Sequence, residues 1–189
     1  MTIRSSDSRK LCPNGHTELT STPMCRLLLV CLFVLCFAAT AAHANPAEFL
    51  LNQKAPEVTR RDLNGGSLNL ASLHGKVVLL NFWATWCAPC LVEMPTFNQW
   101  QGQYGSQGLQ VVGISMDDDP ASARRLTAKL RLNYPVAMGD EALGQLYGGV
   151  LGLPLTYLID KHGIVRARFQ GETDPKTIES QLKDLLDQP

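Results

Sequence analysis

Val77-Val78-Leu79-Leu80-Asn81-Phe82-Trp83-Ala84-Thr85-Trp86-Cys87-Ala88-Pro89-Cys90 is the stretch from which the fold can be read. Its first six residues form a nearly continuous apolar run, as expected of a strand buried on both faces of a sheet. Its last four hold two cysteines three positions apart, with a proline between them. Proline is well tolerated in a first helical turn. A helix is therefore expected from near Pro89 toward Tyr104, kinked at Pro95.

Two cysteines at this spacing can close a small disulfide ring and reopen it. Cys87 falls at the helix N-terminus, where unpaired backbone N–H groups and the positive dipole end favour the thiolate. The thiolate is the species that attacks a disulfide. Cys90, one turn further in, is expected to be the more buried, resolving thiol, with Trp86 and Pro89 limiting access and fixing the loop. The competing use of such a pair is half of a zinc site. Zinc takes about four ligands, and the chain has scattered histidines and no second close cysteine pair in its globular part.

The surrounding sequence alternates between strands and helices. Before the central strand, Pro56 to Lys76 reads as a hairpin, with Glu57-Val58-Thr59 extended, a turn at Asn64-Gly65-Gly66, and Ser67 to Leu70 alternating. After it, Leu109 to Ser115 is a second buried strand. Asp117-Asp118-Asp119-Pro120 caps and starts a helix through about Leu132; a metal site there would need several converging oxygens. Tyr134 to Met138 is a short strand and Glu141 to Tyr147 a short helix. Leu155 to Ile159 is a third long strand, turned by Lys161-His162-Gly163 into Ile164 to Gln170. Ile178, Leu182, Leu185 and Leu186 mark one face of a terminal helix. The pattern predicts an α/β fold with a mostly parallel sheet covered on both faces, the last two strands adding an antiparallel edge. His74 and His162 read as surface residues, Trp83 and Trp100 as packing residues.

Composition bounds the partners. The 189 residues carry 17 basic and 17 acidic side chains, so no basic field exists to attract nucleic acid. Cys12, Cys25, Cys31 and Cys36 precede residue 40, where Arg26, the apolar run Leu27 to Ala42 and Ala42-His43-Ala44 have the order of a secretory signal. Residues 1–44 are thus expected to be a signal peptide and 45–189 the mature domain. Met24 is an alternative start that leaves a more compact signal. An uncleaved anchor in the cytoplasmic membrane is the competing arrangement, although a full span takes roughly 20 apolar residues. The mature chain keeps only Cys87 and Cys90, a pair placed for chemistry rather than for stapling.

From Ala55 onward the chain resembles the thioredoxin superfamily, and more closely its exported TlpA/ResA-like branch. The resemblance rests on Asn81 to Cys90, Glu93-Met94-Pro95, and Gly152-Leu153-Pro154-Leu155-Thr156-Tyr157-Leu158-Ile159-Asp160. It implies a thioredoxin fold with an N-terminal β-hairpin and a central βα insertion between Gly108 and Gly139. It implies a cis peptide before Pro154, and substrate contacts at Trp86, Pro89, Leu153 and Pro154. It also implies a functional glutamate at Glu93, which shares a helix face with Cys90. Asn81 stands where cytosolic thioredoxins have a buried aspartate, so the proton-relay role passes to Glu93; a solvated helix glutamate or a structural polar contact is the alternative.

The implied activity is thiol–disulfide exchange in the periplasm, with Cys87, Cys90 and Glu93 catalytic. Its expected substrates are protein disulfides of apocytochromes c or copper-site assembly proteins, and its electron donor a membrane protein of the DsbD/CcdA kind. No cofactor beyond the cysteine pair and no metal is expected: neither Gly-x-Gly-x-x-Gly nor Cys-x-x-Cys-His occurs. Two other classes remain open, a redoxin-type thiol peroxidase and a copper-binding chaperone using the same two cysteines.

Overall fold

The computed structural model describes residues 50–149 and 152–188. The expected signal segment and the alternative start at Met24 lie outside the described residues. Thr59–Arg61 (β1) and Ser67–Asn69 (β2) form the hairpin, followed by Val77–Trp83 (β3), Ala88–Tyr104 (α1), Leu109–Ser115 (β4), Pro120–Leu130 (α2), Val136–Met138 (β5), Glu141–Leu146 (α3), Leu155–Ile159 (β6), Val165–Gln170 (β7) and Pro175–Leu186 (α4). The main sheet runs β5-β4-β3-β6-β7. This is the thioredoxin-like α/β architecture expected from the sequence. The stretch between Gly108 and Gly139 holds a strand, a helix and a short edge strand.

The central strand explains the two-sided core. All seven residues of β3 are buried, and successive side chains point to opposite faces. Val77, Leu79 and Trp83 pack with Met94, Phe97 and Trp100 of α1 and Ile178, Leu182 and Leu185 of α4. Val78, Leu80 and Phe82 pack on the other face with Val58, Leu143, Tyr147 and Tyr157. Asn81 shares the α1 face by the same alternation.

Sheet polarity differs from the expectation of a mostly parallel sheet. β3–β4 and β4–β5 are parallel, but β6 runs antiparallel to β3, and β7 to β6. Thus β6 is an inner strand that pairs with β3, and with β7 it forms the antiparallel edge hairpin expected from the sequence. The physical reason is the length of α3. Its six residues rise only about 9 Å at 1.5 Å each, too little to carry the chain back down the sheet for another parallel strand. The chain therefore leaves β5 and enters β6 at the same end, the end where β3 runs into Cys87.

The hairpin pairs two residues later than the sequence indicated at its first strand, and it docks on the β5 edge. The Leu63 N–H donates to the Val136 carbonyl at 2.8 Å, Asp62 bridges Ala137, and Arg60 pairs with Asp140 at 2.9 Å. An exposed row of strand hydrogen-bonding groups is covered in this way. Two buried tyrosines anchor the segment that leads to β6. The Tyr147 hydroxyl donates to the Pro56 carbonyl at 2.7 Å, and the Tyr157 hydroxyl to the Tyr147 carbonyl at 2.6 Å.

Gly113 of β4 lies under the Trp83 indole. A Cβ there would sit 3.1 Å from both Trp83 Nε1 and Val136 Cγ2, and Trp83 is fully buried and unable to retreat. Gly113→Ala is expected to lower stability by about 1–3 kcal/mol, measured as a reduced urea midpoint with an unchanged slope.

Candidate active site

The site grows from the junction of β3 and α1. Cys87 is the N-cap of α1, with extended backbone, and Pro89 lies in the first turn. The Cys90 N–H points at Cys87 Sγ at 3.3 Å, and the two sulfurs are joined in a disulfide with Cα atoms 5.3 Å apart. Cys87 keeps the larger exposure, 5% against 1% for Cys90, in the order expected for attacking and resolving thiols. Trp86 and Val92 flank the pair and are broadly exposed, an apolar rim beside a nearly buried sulfur.

α1 turns one stripe inward: Cys90, Glu93, Met94, Phe97, Trp100 and Tyr104 are buried. The spacing is that of one helix face, and Glu93 shares it with Cys90. The glutamate is therefore not a solvated surface residue. Its exposure is 6%, and its Oε2 has no hydrogen-bond partner among the described residues. Removal from water pushes its pKa up to about 7. The Thr173 backbone N–H pulls in the opposite direction, and Glu172 adds to the rise. Both come from the loop between β7 and α4, which sequence reasoning did not connect to the site.

The third wall is β6. Register pairs Phe82 with Leu155 and Asn81 with Thr156. This places Leu153 and Pro154 at the same end of the sheet as the cysteine loop. The Leu153–Pro154 peptide is cis, as the resemblance implied. Pro154 is buried and Leu153 half-buried. The Gly171 N–H donates to the Pro154 carbonyl at 2.8 Å. Beneath them, Asn81 Nδ2 donates to Thr156 Oγ1 at 2.9 Å, so a neutral pair occupies the β3 position on the α1 face.

The aspartate run divides its work. Asp119 caps α2, accepting from the Ala121 and Ser122 N–H groups. Asp117 instead turns back to the active-site loop and accepts from the Thr85 N–H and hydroxyl. Nothing local in the sequence marks that contact. It follows from the parallel register Trp83–Ser115, which sets the residues leaving β3 and β4 side by side. His74 and His162 are exposed, and Trp83 and Trp100 are buried, as expected.

The AhpC/TSA family model matches residues 51–168. The thiol-disulfide oxidoreductase ResA of Bacillus thuringiensis (strain Al Hakam) is 33% identical over 144 residues, 75% of this chain and 82% of that protein. A thiol:disulfide interchange protein of the thioredoxin family from Chlorobium tepidum superposes with a TM-score of 0.66 at 30% identity, covering 70% of this chain and 95% of its own. A secreted thiol-disulfide isomerase of Corynebacterium glutamicum gives 0.65 at 27% identity, covering 72% and 86%. The secreted character of the Corynebacterium protein is consistent with export of this chain.

The Glu93 pKa has a direct consequence for stability. It is raised from 4.5 to about 7 in the folded chain, so folding favours the protonated form. The associated stability is full below about pH 4.5 and is lost as pH rises through about 7, a loss on the order of 3 kcal/mol. In urea titrations of the oxidised protein, Glu93→Gln is expected to flatten the decline in stability between these two pH values. An equal decline in both proteins would mean that Glu93 titrates normally.

Proposed function

The chain belongs to the AhpC/TSA family as a thioredoxin-fold thiol–disulfide oxidoreductase, and from that premise we propose that it is a periplasmic reductant of protein disulfides. The observation that carries the proposal is the redox pair at the start of α1, with Cys87 at the cap and a buried carboxyl of pKa about 7 on the Cys90 face.

In the forward cycle the reduced Cys87 thiolate attacks one sulfur of the substrate disulfide. The substrate S–S bond breaks, a Cys87–substrate S–S bond forms, and the displaced substrate thiolate takes up a proton. Cys90 then loses its proton to the Glu93 carboxylate, and its sulfur attacks Cys87 Sγ. The second substrate thiolate leaves and takes that proton from Glu93. Two electrons have moved to the substrate, and the enzyme holds the Cys87–Cys90 disulfide. A carboxyl with pKa near neutrality suits a group that must accept and return one proton per turnover. The cysteine pair is the redox centre, and no metal or organic cofactor takes part.

Trp86, Pro89, Leu153 and Pro154 form the contact surface for an extended substrate segment. Apocytochromes c and copper-site assembly proteins are the proposed substrates, since each needs reduced thiols outside the cytoplasm. A membrane donor of the DsbD/CcdA kind returns two electrons and regenerates the dithiol. The segment 1–44 directs export and is removed.

A Cys90→Ala chain exported in a bacterial host is expected to accumulate mixed disulfides on Cys87 that dithiothreitol releases. Failure to trap envelope proteins, or equal trapping by Cys87→Ala through Cys90, would contradict the assigned roles. Direction is tested separately by equilibration with glutathione. A reductant is expected to sit below about −200 mV, whereas a value near −120 mV marks an oxidant.

A further inference from the structure

One buried carboxylate next to the redox loop takes no part in the cycle above. Asp117 is 8% exposed. Its two oxygens lie 3.0 and 3.1 Å from the Thr85 amide nitrogen, 2.6 Å from the Thr85 hydroxyl and 2.8 Å from the Ser115 hydroxyl. Its own N–H donates to Ser115 Oγ at 3.2 Å. The support on that side is rigid. Ser115 ends β4 in register with Trp83, and the Met116 N–H donates to the Trp83 carbonyl at 2.8 Å.

What Asp117 holds is the turn in front of the nucleophile. The Cys87 N–H donates to the Ala84 carbonyl at 3.1 Å, so Ala84 to Cys87 form a turn with Thr85 and Trp86 at its centre. Thr85 is gripped through both its N–H and its hydroxyl. A hydrogen bond to a charged group is worth more than a neutral one, and this carboxylate has three donors and no cation among its hydrogen-bond partners.

We infer that Asp117 is a positioning residue for thiol exchange: by clamping Thr85 it fixes the turn that delivers Cys87 to the cap of α1 and turns Trp86 outward. Cys87 needs extended backbone, φ −86° and ψ 97°, for Sγ to face the Cys90 N–H. A loosened turn lets the sulfur leave the N–H donors that favour its thiolate. The inference rests on Cys87 being the attacking thiol.

Two effects of removing Asp117 have opposite signs, which makes the role separable. Loss of a nearby negative charge alone favours the Cys87 thiolate. Loss of positioning disfavours it. The other charged groups of this corner are Arg125 and Lys129, which line the groove beside Thr85, with Asp118 and Asp119 next in the chain. All of them stay unchanged in the test variants.

The test follows Cys87 alkylation by iodoacetamide in the reduced full chain across about pH 5 to 9, with each cysteine resolved by mass spectrometry. Asp117→Asn is expected to raise the apparent thiol pKa by about half a unit to one unit, slowing alkylation at pH 7 roughly three- to tenfold. Thr85→Val, which keeps the charge, is expected to act in the same direction, and Thr85→Ser to recover most of the rate lost in Thr85→Val. Faster or unchanged alkylation in a folded Asp117→Asn chain overturns the inference. Should that variant not fold, Thr85→Val decides alone: slowing supports the clamp, and an unchanged profile overturns it. If the parent chain alkylates Cys90 first, the assignment of Cys87 fails and takes this inference with it.

Discussion

Cys87 has to stand at the cap of α1 with its sulfur facing the Cys90 amide, and much of the structure serves that placement. A helix N-terminus offers N–H groups without intrahelical partners. Placing a cysteine there gives its anion a partner that water need not supply. β3 ends at Trp83, and only Ala84, Thr85 and Trp86 separate it from the cap. Any drift in β3, or in the turn after it, would therefore move the sulfur.

The sheet resists that drift from both sides. β4 lies parallel to β3 along its full length, and β6 lies antiparallel to it. From the first comes the Ser115–Asp117 grip on Thr85; from the second comes the Leu153–Pro154 wall. The loop after β7 closes over Glu93. Groups 80 residues apart in sequence, Glu93 and Thr173, thus meet at the site. The carboxyl is kept buried and only partly satisfied, an arrangement costly to stability above its pKa and useful to a proton carrier.

The elements that act alone were legible in the sequence. The apolar run of β3, the Cys-Ala-Pro-Cys start of α1, the Asp119 cap and the one-face spacing of α4 are local patterns, and each formed close to the expected residues. Cys90 and Glu93 shared a face because helical periodicity requires it. Three features were not legible, because they depend on register or on path. The polarity of β6 follows from the short rise of α3, not from any residue in β6. The shift of β1 from Glu57–Thr59 to Thr59–Arg61 depends on the partner strand. The Asp117–Thr85 contact arises only once two parallel strands end level, and in sequence Asp117 looks like one more member of a capping run.

The central claim is that the fold separates two chemically identical thiols. Carbon-13 labelling at both cysteine Cβ atoms allows each to be titrated by NMR in the reduced protein. The account predicts that Cys87 ionises well below the ordinary thiol value of about 8.5 while Cys90 ionises above it. Two carbons titrating together near about 8.5 would contradict it.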